Sequence, residues 1–162
     1  MMKNIEIKKV QVEDAGFIHQ LINNKFILDK LNEIETTLDV WVDAINIWES
    51  DLDEENYLIY INSKPIGWIG INGLVSETKH PFIKIITLLP KYHNQGIGKY
   101  VIKKILNNLK LREYKFVSLY TDCSNKLAQS CYKSCGFEVI KKTRQRMGNG
   151  LVIERYKMEL VL

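Results

Sequence analysis

The sequence predicts one domain of mixed α/β or α+β architecture, and three observations lead there. The chain has 162 residues, a length that suits a single core. Strand and helix periodicities alternate along it, and no linker, repeat or low-complexity tract interrupts them. Some strands are joined by short turn-forming segments and others by helical patterns, so hairpins and crossovers share one sheet.

Each element has its own signal. Ile5, Ile7 and Val10 among polar neighbours predict a strand over roughly residues 4–9. Asp14 then stands as an N-cap, and Phe17, Ile18, Leu21, Ile22, Phe26 and Leu28 recur at helical spacing, predicting one helix over roughly 14–28. Leu38, Trp41, Val42, Ile45 and Trp48 predict a second helix over roughly 36–50. The acidic run Glu49–Glu55 ends it and reads as a solvated loop. Strands at 57–61 and 66–71 flank the turn Asn62-Ser63-Lys64-Pro65, and Gly67 and Gly70 mark a bulge or a close backbone approach. Residues 82–89 form a near-continuous apolar run, the pattern of a central strand. A helix over about 96–110, a strand over 116–120 and a short helix over 125–135 follow, the last ended by Gly136. Two strands, about 137–146 and 151–160, close the chain around Gly148-Asn149-Gly150.

Composition excludes several classes. At 46% hydrophobic and 26% charged residues the chain is a folding sequence, not a disordered one. No apolar segment reaches the roughly 18 residues of a membrane helix, and the first residues lack the apolar block of a signal peptide. A cytoplasmic protein without a membrane partner is expected. A net charge of +4 with scattered lysines is weak ground for a nucleic-acid partner, and none is expected. The densest basic run is Lys141, Lys142, Arg144 and Arg146, of which 142, 144 and 146 share one face of a strand. It reads first as a charged, solvated edge, and second as a patch for an anion such as a 3′-phosphate. The three cysteines, Cys123, Cys131 and Cys135, are an odd set without a CxxC pair, and His19, His80 and His93 lie far from them in sequence. They read as apolar thiols, and no metal site is expected.

Two constellations carry chemistry. In Leu88-Leu89-Pro90-Lys91-Tyr92-His93-Asn94-Gln95-Gly96-Ile97-Gly98-Lys99 a strand ends at a proline and a helix begins at two glycines. A helix start has N–H donors without intrahelical partners, and the positive end of its dipole lies there, so it attracts phosphate. A dinucleotide fingerprint needs a third glycine where Val101 stands, and no nucleoside-triphosphate loop is present. The second constellation is Asn125-Lys126-Leu127-Ala128-Gln129-Ser130-Cys131-Tyr132-Lys133-Ser134-Cys135-Gly136-Phe137.

Together these motifs resemble the GNAT superfamily of acyl-CoA-dependent N-acyltransferases. Its first motif, R/Q-x-x-G-x-G/A, is matched from His93 to Gly98, with His93 in place of Arg or Gln. Its later N-x-x-A-x-x-x-Y-x-x-x-G-F segment is complete from Asn125 to Phe137. The resemblance implies a mostly antiparallel sheet flanked by helices, with central parallel strands that splay apart. It implies acetyl-CoA as co-substrate, its pyrophosphate held by the backbone at Asn94, Gln95, Gly96, Ile97, Gly98 and Lys99. The pantetheine arm would pair with the strand edge at Ile86 and Leu88 and with Asn125. It implies direct attack by an amine with both substrates bound, an oxyanion donor in the backbone N–H near Leu88, and Tyr132 as general acid to the departing thiolate.

Other positions stay open at this point. Asp122, Glu77 and His80 are candidate bases near the expected cleft, beside a water chain. His93 is either a phosphate donor or a surface loop residue. Tyr120 stands where the ribosomal-protein N-terminal acetyltransferases resembled here carry a glutamate, which argues against that branch. Trp41, Trp48, Tyr57 and Trp68 are core residues or acceptor-pocket residues, and the acidic run is a solubilising loop or a lure for a polyamine. The expected partner is a small-molecule amine, polyamine-, aminoglycoside- or amino-acid-like. A protein or peptide amine and a non-catalytic acyl-CoA-binding module are the alternatives, and a homodimer fits the family's habit.

Overall fold

A computed structural model describes residues 3–162. The elements run β1 (Ile5–Lys9), a 3-10 turn (Val12–Asp14), α1 (Ala15–Ile22), α2 (Lys25–Leu31), α3 (Leu38–Ser50), β2 (Glu55–Ile61), β3 (Lys64–Asn72) and β4 (Phe82–Leu88). After a 3-10 turn (Pro90–Tyr92) come α4 (Ile97–Leu111), β5 (Phe116–Asp122), α5 (Lys126–Ser134), β6 (Glu138–Arg146) and β7 (Val152–Val161). The strands form one sheet in the order β1-β2-β3-β4-β5-β7-β6. Every neighbouring pair is antiparallel except β4 and β5. The mixed, mostly antiparallel sheet that the sequence predicted is the sheet observed.

Each face of the sheet buries one apolar cluster. Ile97, Val101, Ile105 and Leu109 of α4 pack with Ile69, Ile83, Val117, Leu119 and Phe137. On the other face Ile18 and Leu21 of α1 and Ile45 of α3 pack with Leu58 and Trp68. Burying such side chains stabilises by about 1.5–3 kcal/mol each, which holds the helices against the sheet. The last strand, β6, is exposed along its length and charged, an edge protected as the basic run suggested.

Three local expectations change. The helix expected over 14–28 is two helices, because the Asn24 side chain accepts from the N–H groups of Phe26 and Ile27 and starts a new one. Asp14 does not cap α1 with its side chain; its carboxylate accepts from the Gln11 N–H at 2.8 Å and closes the preceding turn. The acidic run is solvated over Glu49–Leu52, as expected, but is held from Asp53 on. Asp53 accepts from the N–H groups of Gly73, Val75 and Ser76, Glu54 pairs with Lys84, and Glu55 pairs with Arg112 at 3.0 Å.

The feature that shapes the site is a bulge in β4. Ile85 stands opposite Gly70, but Ile83 stands opposite Ile71, so Lys84 is an extra residue. Lys84 and Ile85 therefore point to the same face, towards α3. The Lys84 ammonium lies 4.6 Å from the Trp48 ring centre and 5.5 Å from that of Trp68. Burial there pulls its pKa down to about 8, while Asp51 pulls the other way. Asn56 completes the network, donating to Glu54 at 2.9 Å and accepting from the Trp68 indole at 2.9 Å. Gly70 leaves the room for it: a Cβ there would meet Lys84 Cε at 2.5 Å and Asn56 Oδ1 at 2.6 Å.

Candidate active site

The bulge bends β4 away from β5. The parallel pairing holds only Phe82 to Ser118 and Ile83 to Leu119. Beyond Ile83 the strands separate into a cleft of about 570 Å³. Its walls are residues 83–88 of β4, 119–122 of β5, the segment 92–99 and part of α5, with α2 across the mouth.

One end of the cleft is the start of α4. Gly96 is its N-cap, with φ +76°, and no side chain caps the helix there. The Tyr100 N–H is the first to bond back, to the Gly96 carbonyl at 3.0 Å. The N–H groups of Ile97, Gly98 and Lys99 thus lie in the uncapped first turn, and no carboxylate stands there. At both Gly96 and Gly98 a Cβ would meet nothing within 4 Å, so the protein itself leaves open space beside this backbone. The amides from Asn94 to Lys99 thus form a concave donor surface, and Asn94, with φ +57°, makes the bend. The Gln95 side chain is turned away, donating to the Lys91 carbonyl at 2.7 Å.

The second wall is the free edge of β4. The Leu89 N–H bonds to the Ile66 carbonyl at 2.8 Å, so Leu89 faces β3, as Thr87 opposite Trp68 must. Strand alternation then turns the N–H and C=O of Ile86 and Leu88 toward the cleft. Ile86 keeps both groups open for an extended amide-bearing arm, and Leu88 keeps its N–H. His93 is neither a free loop residue nor aimed at phosphate. Its Nε2 donates to the Leu88 carbonyl at 2.7 Å, and its ring packs on Phe26 of α2, with centroids 5.7 Å apart.

The third wall brings Asn125 and Tyr132 into the cleft from α5. Asn125 caps α5, its Oδ1 accepting from the Ala128 N–H at 3.1 Å, which leaves the amide NH2 to donate. At the other end the Phe137 N–H bonds to the Tyr132 carbonyl at 3.1 Å and the Gly136 N–H to the Lys133 carbonyl at 3.0 Å. Gly136 has φ +106°, and the Phe137 ring lies edge-on to Tyr132 with centroids 6.2 Å apart. This is a glycine-terminated helix with its apolar clasp. The spacing of Asn125, Ala128, Tyr132, Gly136 and Phe137 is therefore the grammar of a capped helix that carries a tyrosine into the gap. Burial pushes the Tyr132 hydroxyl well above the ordinary tyrosine pKa, Cys131 adds to the push, and Arg155 opposes it. A phenol so placed stays protonated and suits a proton donor.

Asp122 also lines the cleft, yet both its oxygens are engaged. Oδ1 accepts from Arg155 Nε at 3.0 Å and Oδ2 from the Asn32 side chain at 3.0 Å. Arg155 lies over the Tyr120 ring and donates to Gln145 at 3.1 Å. Glu77 and His80 precede β4, at the end opposite the cleft, and His80 is bonded to Ser118 at 2.7 Å. Trp41 and Trp48 pack on Trp68 in the second core, and none of Trp41, Trp48, Tyr57 and Trp68 lines the cleft. Cys131 and Cys135 are half-buried, free, and packed on the main core. Among the described residues no group of three or more His, Cys, Asp or Glu is placed to hold a metal ion, and no helix is long and apolar enough to cross a membrane.

The residues that sequence reasoning missed are Phe26, Arg155 and Asn32. Each acts through a contact far away in sequence. The sequence carried no signal for them, and Phe26 read simply as one more residue of the apolar helical period.

Known proteins share this fold. The sequence profile described as "Acetyltransferase (GNAT) family" matches residues 18–137. An uncharacterized N-acetyltransferase of Methanocaldococcus jannaschii is 30% identical over 96 residues, 56% of this chain. The chain spans 42% of that relative's length. Among solved structures, a spermidine N-acetyltransferase from Vibrio cholerae in complex with CoA and spermine superposes with a TM-score of 0.87 at 19% identity, over 97% of this chain and 95% of that one. A GNAT-family acetyltransferase from Streptococcus pneumoniae gives 0.79 at 16% identity, over 98% and 100%. At these identities the likeness shows a shared fold. The profile match covers both constellations and well over half of the residues: the chain belongs to the GNAT family of acetyltransferases.

Proposed function

We propose that this protein moves the acetyl group of acetyl-CoA to a primary amine of a small molecule, with both substrates bound together. The observation that carries the reading is the single cleft behind the β4 bulge. It brings the uncapped start of α4, the free edge of β4 and the Tyr132 hydroxyl to one gap.

Acetyl-CoA, when bound, supplies the activated acetyl group. The protein's residues do the rest. The amides from Asn94 to Lys99 hold the pyrophosphate, and Lys99 adds charge. Ile86 offers its N–H and C=O to the pantetheine arm as an added strand would, and Asn125 donates to it; at Leu88 only the N–H is open, because His93 holds the carbonyl. The Leu88 N–H faces the thioester oxygen, where negative charge develops as the amine attacks. Tyr132 gives its proton to the departing sulfur. Asp122, which lines the cleft, holds Arg155 with one oxygen and Asn32 with the other, so the amine gives its proton to water in the cleft.

A small acceptor is favoured over a protein chain by a bridge next to the cleft, joined to it through the bond from the Asn32 side chain to Asp122. The tip of the β6–β7 hairpin touches the segment after α2: the Asn149 N–H bonds to the Asn32 carbonyl at 3.0 Å, and a Cβ on Gly148 would strike the Glu33 carboxylate. The likeness to spermidine N-acetyltransferases puts polyamines first among candidates. The test is a thiol-release screen with acetyl-CoA against polyamines, amino acids, aminoglycosides and short peptides. Release with a small amine is expected. CoA binding without release across the whole panel makes the protein an acyl-CoA-binding module, and release with peptides alone moves the acceptor to protein.

A further inference from the structure

We infer that His93 is a positioning residue that sets the reacting end of β4, an inference that rests on the transferase reading above. The peptide joining Leu88 to Leu89 is held from both sides. Its N–H is taken by the Ile66 carbonyl at 2.8 Å and its C=O by His93 Nε2 at 2.7 Å. A carbonyl only accepts, so Nε2 carries the proton. This clamp sits where β4 stops, one residue before Pro90, and no ladder partner on the β5 side steadies the strand. Without it, the cleft-facing groups of Leu88 would rest on one hydrogen bond and on packing alone.

The imidazole is itself held. Phe26 of α2 packs on it, and the Lys30 ammonium lies 5.6 Å from the far ring. His93 is therefore braced between the helix at the cleft mouth and the strand that would present the thioester. The role requires a hydrogen-bond donor and not a basic nitrogen. Both the neutral Nε2–H form and the imidazolium donate to Leu88, so protonation leaves the clamp in place.

The consequence is kinetic. Displacing a reacting carbonyl from its donor costs rate, while the pyrophosphate grip of the α4 start is unaffected. His93→Leu is expected to lower kcat about tenfold and to change the affinity for CoA less than threefold, measured calorimetrically. His93→Gln keeps a donor and is expected to restore most of kcat, with the pH profile of the native protein. An active native enzyme whose His93→Leu variant keeps its kcat overturns the clamp alone. So does a loss confined to CoA affinity. A native protein inactive on the whole amine panel overturns the transferase reading and this role with it. A measurement on the unmodified chain stands beside the variants, in case His93→Leu fails to fold. Imidazole nitrogen NMR shifts are expected to show the Nε2–H tautomer for His93; the Nδ1–H tautomer contradicts the clamp.

Discussion

Ile83 and Leu119 are the last residues to hold β4 and β5 together, and the extra residue of the β4 bulge, Lys84, follows Ile83 directly. The cleft is thus a consequence of one inserted residue. What keeps that residue in place is a buried polar network with no spare volume beside Gly70.

Gly70→Ala tests this origin of the cleft. The new methyl collides with Lys84 and Asn56, and overpacking of this kind costs about 1–3 kcal/mol. The variant is expected to unfold at lower urea and to bind CoA more weakly, because the bulge must shift. A variant with native stability and native CoA affinity would show that the bulge does not depend on Gly70.

Gly96 and Gly98 separate backbone need from ligand need. Gly96 has φ +76°, so Gly96→Ala is expected to cost about 1 kcal/mol through strain alone. Gly98 carries no such φ and has free space around it, so Gly98→Ala is expected to fold as stably as the native chain. Its methyl would stand where the pyrophosphate must approach. Thermal melting with and without CoA reads both effects: Gly98→Ala should keep its melting temperature and lose most of the shift that CoA produces.

Asp53 gives a pH-dependent prediction. The N–H groups of Val75, Gly73 and Ser76, Val75 foremost, hold its pKa below the ordinary aspartate value of 3.8 against the opposing effect of burial. A depressed carboxylate favours the folded state above its unfolded pKa, and that contribution fades as pH falls through the folded one. Solvent screens the site, so Asp53→Ala is expected to cost about 1 kcal/mol at pH 7. Urea titrations should show the gap between variant and native closing below about pH 4. A gap that does not narrow as pH falls below about 4 contradicts the assignment.

The fold class and both motifs that line the cleft were legible because each is local. Gly96 and Gly136 mark backbone turns, and the spacing from Asn125 to Phe137 is a helix with both of its caps. The break at Asn23–Asn24 was hidden because Phe26 and Leu28 continued the apolar period across it. The acidic run looked solvated because its partners, Lys84, Arg112 and the N–H groups after Asn72, come 20 or more residues later. For the same reason the contact of His93 with Phe26 could not be read from spacing. The bulge at Lys84 had a signal in Gly67 and Gly70, but its result, the parting of β4 from β5, is a property of the sheet.

Tyr132 carries the central claim. Burial holds its hydroxyl protonated, so it is expected to cause no loss of kcat between pH 7 and about pH 10. The most direct measurement is the rate of CoA thiol release at saturating acetyl-CoA and amine, compared between the native chain and Tyr132→Phe. A fall of about 100-fold in kcat with little change in CoA affinity is expected. An unchanged kcat under conditions where chemistry limits the rate would contradict it.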